Sequence, residues 1–213
     1  MRIFIILFLF SNMLLAQGRD SFNNLNIKED TTFISITSND LIDDTKKKID
    51  SVEAYYAINE KKIELMALTS DSAEPVSVTD DAWPENTIVS INVLRDEKGQ
   101  IIFYAEYPFS ESGDWFIAYE YFADKVSGHI YGFKRTASFF NSMCTDGVLN
   151  EKSIYFFNAD FALIGKEYSL TDSNNKPINP VSCYFPYDYD YIIPKNIHKL
   201  INKNALLGLM KSS

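Results

Sequence analysis

Apolar and polar residues alternate along four consecutive stretches in the middle of the chain. The stretches are 87–95, 100–107, 115–122 and 128–135. Turn-forming residues, among them Gly99 and Gly113, separate them. Alternation with a period of two is typical of strands, and short turns between strands predict an antiparallel meander.

The same pattern predicts which side chains share a face of this sheet. The turns suggest a pairing of position 95 with 101, of 107 with 115 or 117, and of 121 with 129. All odd-numbered positions then lie on one apolar face. That face carries Val89, Ile91, Val93, Ile101, Phe103, Ala105, Tyr107, Trp115, Ile117, Tyr119, Tyr121, Tyr131 and Phe133. We expect the odd-numbered face to be buried and the half-polar even-numbered face to be solvated.

Further elements flank the meander. A short strand is predicted at 32–37, and the spacing of Ile42, Thr45 and Ile49 predicts a helix over 39–50. Residues 51–58 either extend this helix or form the first strand of a hairpin whose second strand includes 63–67. The alternation of apolar residues at 52, 54, 56 and 58 favours the hairpin.

The C-terminal third of the chain predicts one more hairpin and a second helix. The strands of the hairpin are 154–157 and 163–170, and an amphipathic helix runs from 195 to about 210 after Pro194. The stretch 136–150 predicts a short helix or a crossing loop. The fold class is therefore α+β: a curved, mostly antiparallel β-meander sheet with an N-terminal helix and a C-terminal amphipathic helix.

The first residues have the layout of a secretory signal peptide. Arg2 precedes an apolar run from Ile3 to Phe10, which is too short to span a bilayer. We favour cleavage after Ala16, where Leu14 is larger than the small-residue rule prefers; cleavage after Gly18 is the alternative and satisfies that rule with Ala16 and Gly18. We therefore expect a signal peptide at 1–16 and one exported, β-rich domain at 17–213, in the periplasm or outside the cell.

Composition and charge narrow the classes of partner. The chain has 213 residues, 15% of them aromatic, and a net charge of −9. Acidity of this degree disfavours nucleic acids and anionic membrane surfaces, which need basic patches. No apolar segment after the leader is long enough to cross a membrane, so we expect no membrane span after processing.

The cysteines and histidines limit the chemistry. In an exported protein, the two cysteines, Cys144 and Cys183, either form a disulfide or remain two buried thiols. His129 and His198 have no Cys, Asp or Glu at ligand spacing. The sequence also has no phosphate-binding or nucleophile motif, and we expect neither a metal nor a cofactor.

Two carboxylates are the candidates for catalysis. Glu106 and Glu120 fall on the even-numbered face in neighbouring strands, with Tyr104 beside them and Lys134 at the end of the row. Paired carboxylates divide acid and base roles in glycoside hydrolysis. The alternative is a solvated face with a cross-strand Lys–Glu pair.

The densest polar and aromatic stretch lies near the C-terminus. It consists of Tyr187, Asp188, Tyr189, Asp190 and Tyr191. Tyrosines combine a large contact area with a hydroxyl group, so they suit a sugar or a protein partner. We expect the three tyrosines to be partly exposed and to bind a ligand or partner, while the two aspartates bias the surface towards neutral or basic partners.

These features favour a non-enzymatic binding or protein-interaction module whose partner is a protein or a small molecule. One alternative is a secreted hydrolase that uses Glu106 and Glu120. Another alternative is a carrier of a hydrophobic ligand, which would need an apolar cavity between the sheet and a helix.

Overall fold

The computed structural model describes residues 24–25 and 39–201, except positions 73, 81, 141 and 188. The expected signal peptide, the strand expected at 32–37 and the greater part of the expected C-terminal helix lie outside these residues. Among the helices that the structure describes, none is both long and apolar enough to cross a membrane.

An eight-stranded antiparallel sheet forms the body of the protein and confirms the expected fold class. Its strands are β2 (Ile63–Thr69), β3 (Val76–Ser77), β4 (Thr87–Arg95), β5 (Ile101–Pro108), β6 (Trp115–Ala123), β7 (Ile130–Phe139), β8 (Leu149–Phe157) and β9 (Leu163–Thr171). Their spatial order is β3-β2-β4-β5-β6-β7-β8-β9, and the sheet is not closed. Apart from β3, neighbours in space follow chain order, as a meander requires.

A single helix, α1 (Asn39–Ile58), covers one face of the sheet, which we call the helix face. Residues 51–58 therefore extend the helix rather than forming a strand. The apolar stripe of α1 continues through this stretch, because Val52, Tyr55 and Tyr56 pack with Ile42 and Ile49 against the sheet. A turn of 3₁₀ helix (Glu60–Lys62) then leads into β2.

The opposite face, which we call the arm face, lies under the C-terminal arm, residues 183–197. A two-residue strand β10 (Ile193–Pro194) in the arm pairs with β1 (Asn24–Leu25). The arm then joins the start of β7, since Ile130 N–H donates to Lys195 O and Ile197 N–H donates to Gly128 O. Pro194 lies in β10, and these backbone bonds attach residues 195–197 to the start of β7, so the described part of the helix begins at 198 and not at 195.

The pairing expected at the β4–β5 turn is correct at its first step and wrong beyond it. Arg95 pairs with Ile101, but Leu94 pairs with Phe103, so Ile102 is an extra residue in β5. From this bulge onward, odd positions of β4 share a face with even positions of β5. Phe103, Ala105 and Tyr107 consequently lie on the helix face and not with Ile91.

Bulges at the ends of two further hairpins have the same effect. Tyr131 is the extra residue of β7, and Ile164 is the extra residue of β9. Ile102, Tyr131 and Ile164 all join the apolar cluster on the helix face. The even-numbered face is therefore not a solvated polar surface, because both faces of the sheet carry a buried core.

Candidate functional site

The tyrosine-rich segment lies along β6 and β7 on the arm face. The ring of Tyr187 lies 5.7 Å from that of Trp115, and the ring of Tyr189 lies 5.4 Å from it, measured between centroids. Tyr187 also contacts Phe139 edge-on. Tyr189 is 46% exposed and Tyr187 is half-buried. The two tyrosines and Trp115 form one cluster, which we call the aromatic surface.

Tyr191 is also half-buried, but its contacts anchor the arm instead of extending the aromatic surface. Its ring lies 5.2 Å from Phe133 and 5.6 Å from Tyr119. Its hydroxyl is 2.9 Å from the hydroxyl of Tyr155. The Tyr121 hydroxyl donates to the next carbonyl of the arm, Ile192 O, at 3.2 Å.

The tyrosine-rich segment also contains two aspartates, Asp188 and Asp190. Asp190 is exposed beside the aromatic surface, whereas Asp188 lies outside the described residues.

A disulfide between Cys144 and Cys183 holds the start of the arm, with 4.9 Å between the two Cα atoms. Tyr184 N–H donates to Ser142 O at 2.8 Å, so the chain immediately after the disulfide is also hydrogen-bonded to the β7–β8 connection. Tyr187 and Tyr189 lie four and six residues after Cys183. The disulfide therefore sets where the arm enters the arm face, directly beside the aromatic surface.

Other exposed aromatic side chains lie at the same end of the sheet. They are Phe109, Phe116, Phe140 and Tyr184. Phe109 directly follows β5, Phe116 is the second residue of β6 and Phe140 directly follows β7, so the antiparallel order of the strands brings these positions to one end of the sheet. The sequence pattern assigned Trp115 to the core and did not single out Phe109, Phe116 or Phe140. An apolar residue placed at the end of a strand, beside a turn, was the available signal.

Glu106 and Glu120 do not form the carboxylate pair that the sequence suggested. Glu106 pairs with Tyr119, and Ala105 pairs with Glu120, so the two carboxylates lie on opposite faces of the sheet. The expected register paired residues of like parity, whereas the observed register pairs odd with even positions. Glu106 lies on the arm face and accepts a hydrogen bond from the Tyr104 hydroxyl at 3.1 Å.

Glu120 belongs instead to an ion cluster between the sheet and α1. Lys134 Nζ lies 2.9 Å from a carboxylate oxygen of Glu120 and also binds Glu53 of α1. Burial raises the pKa of Glu120, and Lys134 opposes that shift. Burial alone would lower the pKa of Lys134, but Glu120 and Glu53 together raise it. The expected cross-strand Lys–Glu pair is therefore present, with a helix carboxylate added to it.

A buried ion pair lies beneath the arm. Arg135 Nη1 contacts a carboxylate oxygen of Glu151, and both side chains are almost fully buried. The Tyr168 hydroxyl donates to the other oxygen of Glu151 at 3.1 Å, and the Arg135 guanidinium lies 5.9 Å from the centre of the Tyr191 ring. The sequence pattern did not indicate this pair, because it predicted that the strand after the 136–150 stretch begins only at 154, and it made Arg135 the last residue of its strand.

A groove of about 780 Å³ lies between α1 and the turns at the opposite end of the sheet. Its floor consists of apolar and aromatic side chains, Val52, Tyr55, Ile102, Ala123 and Tyr131. Charged side chains of both signs surround it.

The turns beside this groove are closed by their own aspartates. Asp96 accepts from the backbone N–H groups of Lys98 and Gln100, and Asp124 accepts from those of Val126 and Ser127. The Ser127 hydrogen bond is the main cause that holds the pKa of Asp124 below its ordinary value.

The two histidines occupy different elements of the fold. His129 forms an isolated backbone bridge with Asn196, and His198 opens the described part of the C-terminal helix. Within the described part of the chain, no three His, Cys, Asp or Glu side chains are arranged to hold a metal ion. Compared with protein families, curated proteins and solved structures, the chain matches none.

Proposed function

We propose that this protein is an exported binding module that contacts a partner through its aromatic surface. The observation that carries the proposal is the position of Tyr187 and Tyr189 against Trp115, with Tyr189 46% exposed at the disulfide-bonded end of the arm. A contiguous apolar patch that is exposed on the surface of a protein marks a site of interaction. Export rests on the leader at 1–16 and fits a chain that carries a disulfide.

The composition of this surface favours a protein partner. Tyrosine and tryptophan are the residues that most often dominate the binding energy of protein interfaces, because they bury a large area with little loss of rotamer freedom. The ring of Tyr184, which is 58% exposed and lies three residues before Tyr187 in the arm, would extend the contact area.

Acidic residues border the surface. Asp190 is exposed beside Tyr189, and Asp114 and Glu111 lie in the exposed turn before Trp115. These carboxylates favour a partner with a neutral or basic patch, because like charges across an interface oppose association.

A paired substitution tests the proposal. Tyr187→Ser with Tyr189→Ser removes two rings of the aromatic surface and leaves the Tyr191 anchor in place. The matched control is Ile58→Ser, which removes an apolar side chain that is 82% exposed at the end of α1. Native mass spectrometry of each protein, purified from the exporting cells, measures how much partner remains bound.

The proposal predicts that the wild type and Ile58→Ser retain the same partner, and that the double variant loses it while still folded. Equal retention by all three proteins would contradict it. A retained glycan in place of a protein would keep the site and overturn the class of partner.

A further inference from the structure

The groove beside α1 has a floor that the sheet provides through its bulges. Ile102 and Tyr131 are the extra residues of β5 and β7, and both line the groove. A bulge turns a side chain towards a face where regular alternation would not place it. Two neighbouring hairpins thus add one apolar and one aromatic side chain beneath the same open space.

Four lysines surround this floor: Lys47, Lys48, Lys98 and Lys125. Two lie on α1 and two lie in the turns 96–99 and 124–128. Among the ion pairs that the structure describes, none involves any of these four ammonium groups. All four side chains are exposed, so their ammonium groups can reorient towards an anion over the groove.

Four carboxylates also line the groove, and they limit which anion it can take. Asp96 and Asp124 are engaged by the backbone of their own turns, whereas Asp44 and Glu97 remain at the rim. A polyanion would be repelled by these carboxylates. A single anionic group can lie between two lysines and avoid them.

We propose that the groove binds a small organic monoanion with an apolar body, of the class of long-chain or aryl carboxylates. The apolar body would lie on Ile102 and Tyr131, and the carboxylate would lie between lysines from α1 and from a turn. A volume of about 780 Å³ is within the range of small-molecule sites. This site lies at the other end of the sheet and on the other face from the aromatic surface, so it does not depend on the proposed function.

Calorimetric titration with three probes tests this inference. Decanoate and 4-phenylbutyrate represent the two kinds of carboxylate, and decylammonium has the chain of decanoate with the opposite charge. We expect saturable binding of at least one carboxylate, weaker binding at high salt and no saturable binding of decylammonium. The carboxylate that binds more tightly indicates whether the natural ligand is a long-chain or an aryl carboxylate.

Charge reversal locates the site. Lys48→Glu with Lys125→Glu should weaken binding of the carboxylate about tenfold or more. Lys176→Glu with Lys195→Glu changes the net charge equally at exposed or half-exposed positions outside the groove, and should leave the affinity within about twofold. If the first pair disturbs the fold, Lys47→Gln with Lys98→Gln provides the same test without charge reversal.

The inference is overturned if neither carboxylate binds saturably, if decylammonium binds as tightly as decanoate, or if both charge variants bind equally. Tyr187→Ser with Tyr189→Ser should bind the carboxylate as the wild type does. Loss of carboxylate binding in that variant would place the site on the arm face and would also overturn the inference.

Discussion

The two faces of the sheet are covered in different ways. On the helix face, one regular helix supplies a periodic apolar stripe, and the sheet receives it with small residues. A Cβ atom at Gly132 would lie 2.6 Å from Cδ1 of Ile49, and one at Gly165 would lie 2.8 Å from Cδ1 of Ile42. The helix can approach the sheet this closely only because these two positions have no side chain.

On the arm face, the covering chain has almost no regular structure. It is held by a disulfide, by aromatic contacts and by side-chain hydrogen bonds such as that between Tyr155 and Tyr191. The comparison shows that the regular helix covers its face mainly by periodic packing, to which ion pairs such as Lys134–Glu53 are added, whereas the irregular arm depends on specific attachment points. Between those attachment points, side chains such as Tyr189 stay exposed and form part of the aromatic surface.

The largest expected effects test whether both faces are true cores. Phe103→Ala on the helix face and Phe133→Ala on the arm face should each lower the free energy of unfolding by about 3–5 kcal/mol, because both rings are fully buried. Chemical denaturation measures both values. A loss below about 1 kcal/mol for either variant would mean that its face is not packed as described.

Removal of the disulfide should affect the arm face far more than the helix face. Cys144→Ser with Cys183→Ser opens a loop of 39 residues, which the chain-entropy model values at about 4 kcal/mol. Hydrogen exchange should show faster opening of Ile130 and Ile197, whose amides bond the arm to β7, than of α1. Equal acceleration in both regions would contradict the separate attachment of the two coverings.

A methyl group added to the sheet under α1 should lower the free energy of unfolding moderately. Gly132→Ala should cost about 1–3 kcal/mol, because Ile49 must shift within a packed interface. Ile49→Val in the same chain removes the contacted Cδ1 atom and should recover part of the loss. If the double variant is no more stable than expected from adding the two single changes, the close approach of helix and sheet is wrong.

The Lys134 cluster gives the helix face a pH dependence. The pKa of Lys134 is raised above its ordinary value of 10.5, since Glu120 and Glu53 outweigh the effect of burial. Its stabilising contribution is therefore complete below that value and is lost as the pH rises through the folded-state pKa. The stability difference between the wild type and Lys134→Met should narrow above about pH 10.5. A difference that stays constant up to pH 12, roughly the upper limit of such a measurement, would exclude this role.

The strands and α1 could be predicted because their signals are local. Alternation and turn residues set the bounds of β4 to within one residue. The apolar stripe of α1 continues through 51–58, and this stripe was the available signal that these residues are helical. The register could not be predicted, since a single extra residue such as Ile102 reverses the faces, and neither of its neighbours in the chain is a Gly or a Pro.

The sites depend on contacts between residues that are distant in the chain. The sequence indicated the partial exposure of Tyr187, Tyr189 and Tyr191. It did not indicate that Trp115 contacts Tyr187 and Tyr189, because a separation of about 70 residues leaves no periodic signal. The prediction that Glu106 and Glu120 form a carboxylate pair was wrong because it depended on the predicted register. The groove was not predicted because it forms where α1 crosses turns that lie far from it in sequence.

The most direct test of the central claim, that the arm presents an aromatic contact surface, is site-specific photocrosslinking in the exporting cells. A benzophenone side chain replaces Tyr189 in one protein and Ile58, exposed at the end of α1, in another. The account predicts one discrete adduct from position 189, its loss when Tyr187 and Trp115 are changed to Ser, and no such adduct from position 58. The same adducts from both positions, or none from position 189, would contradict it.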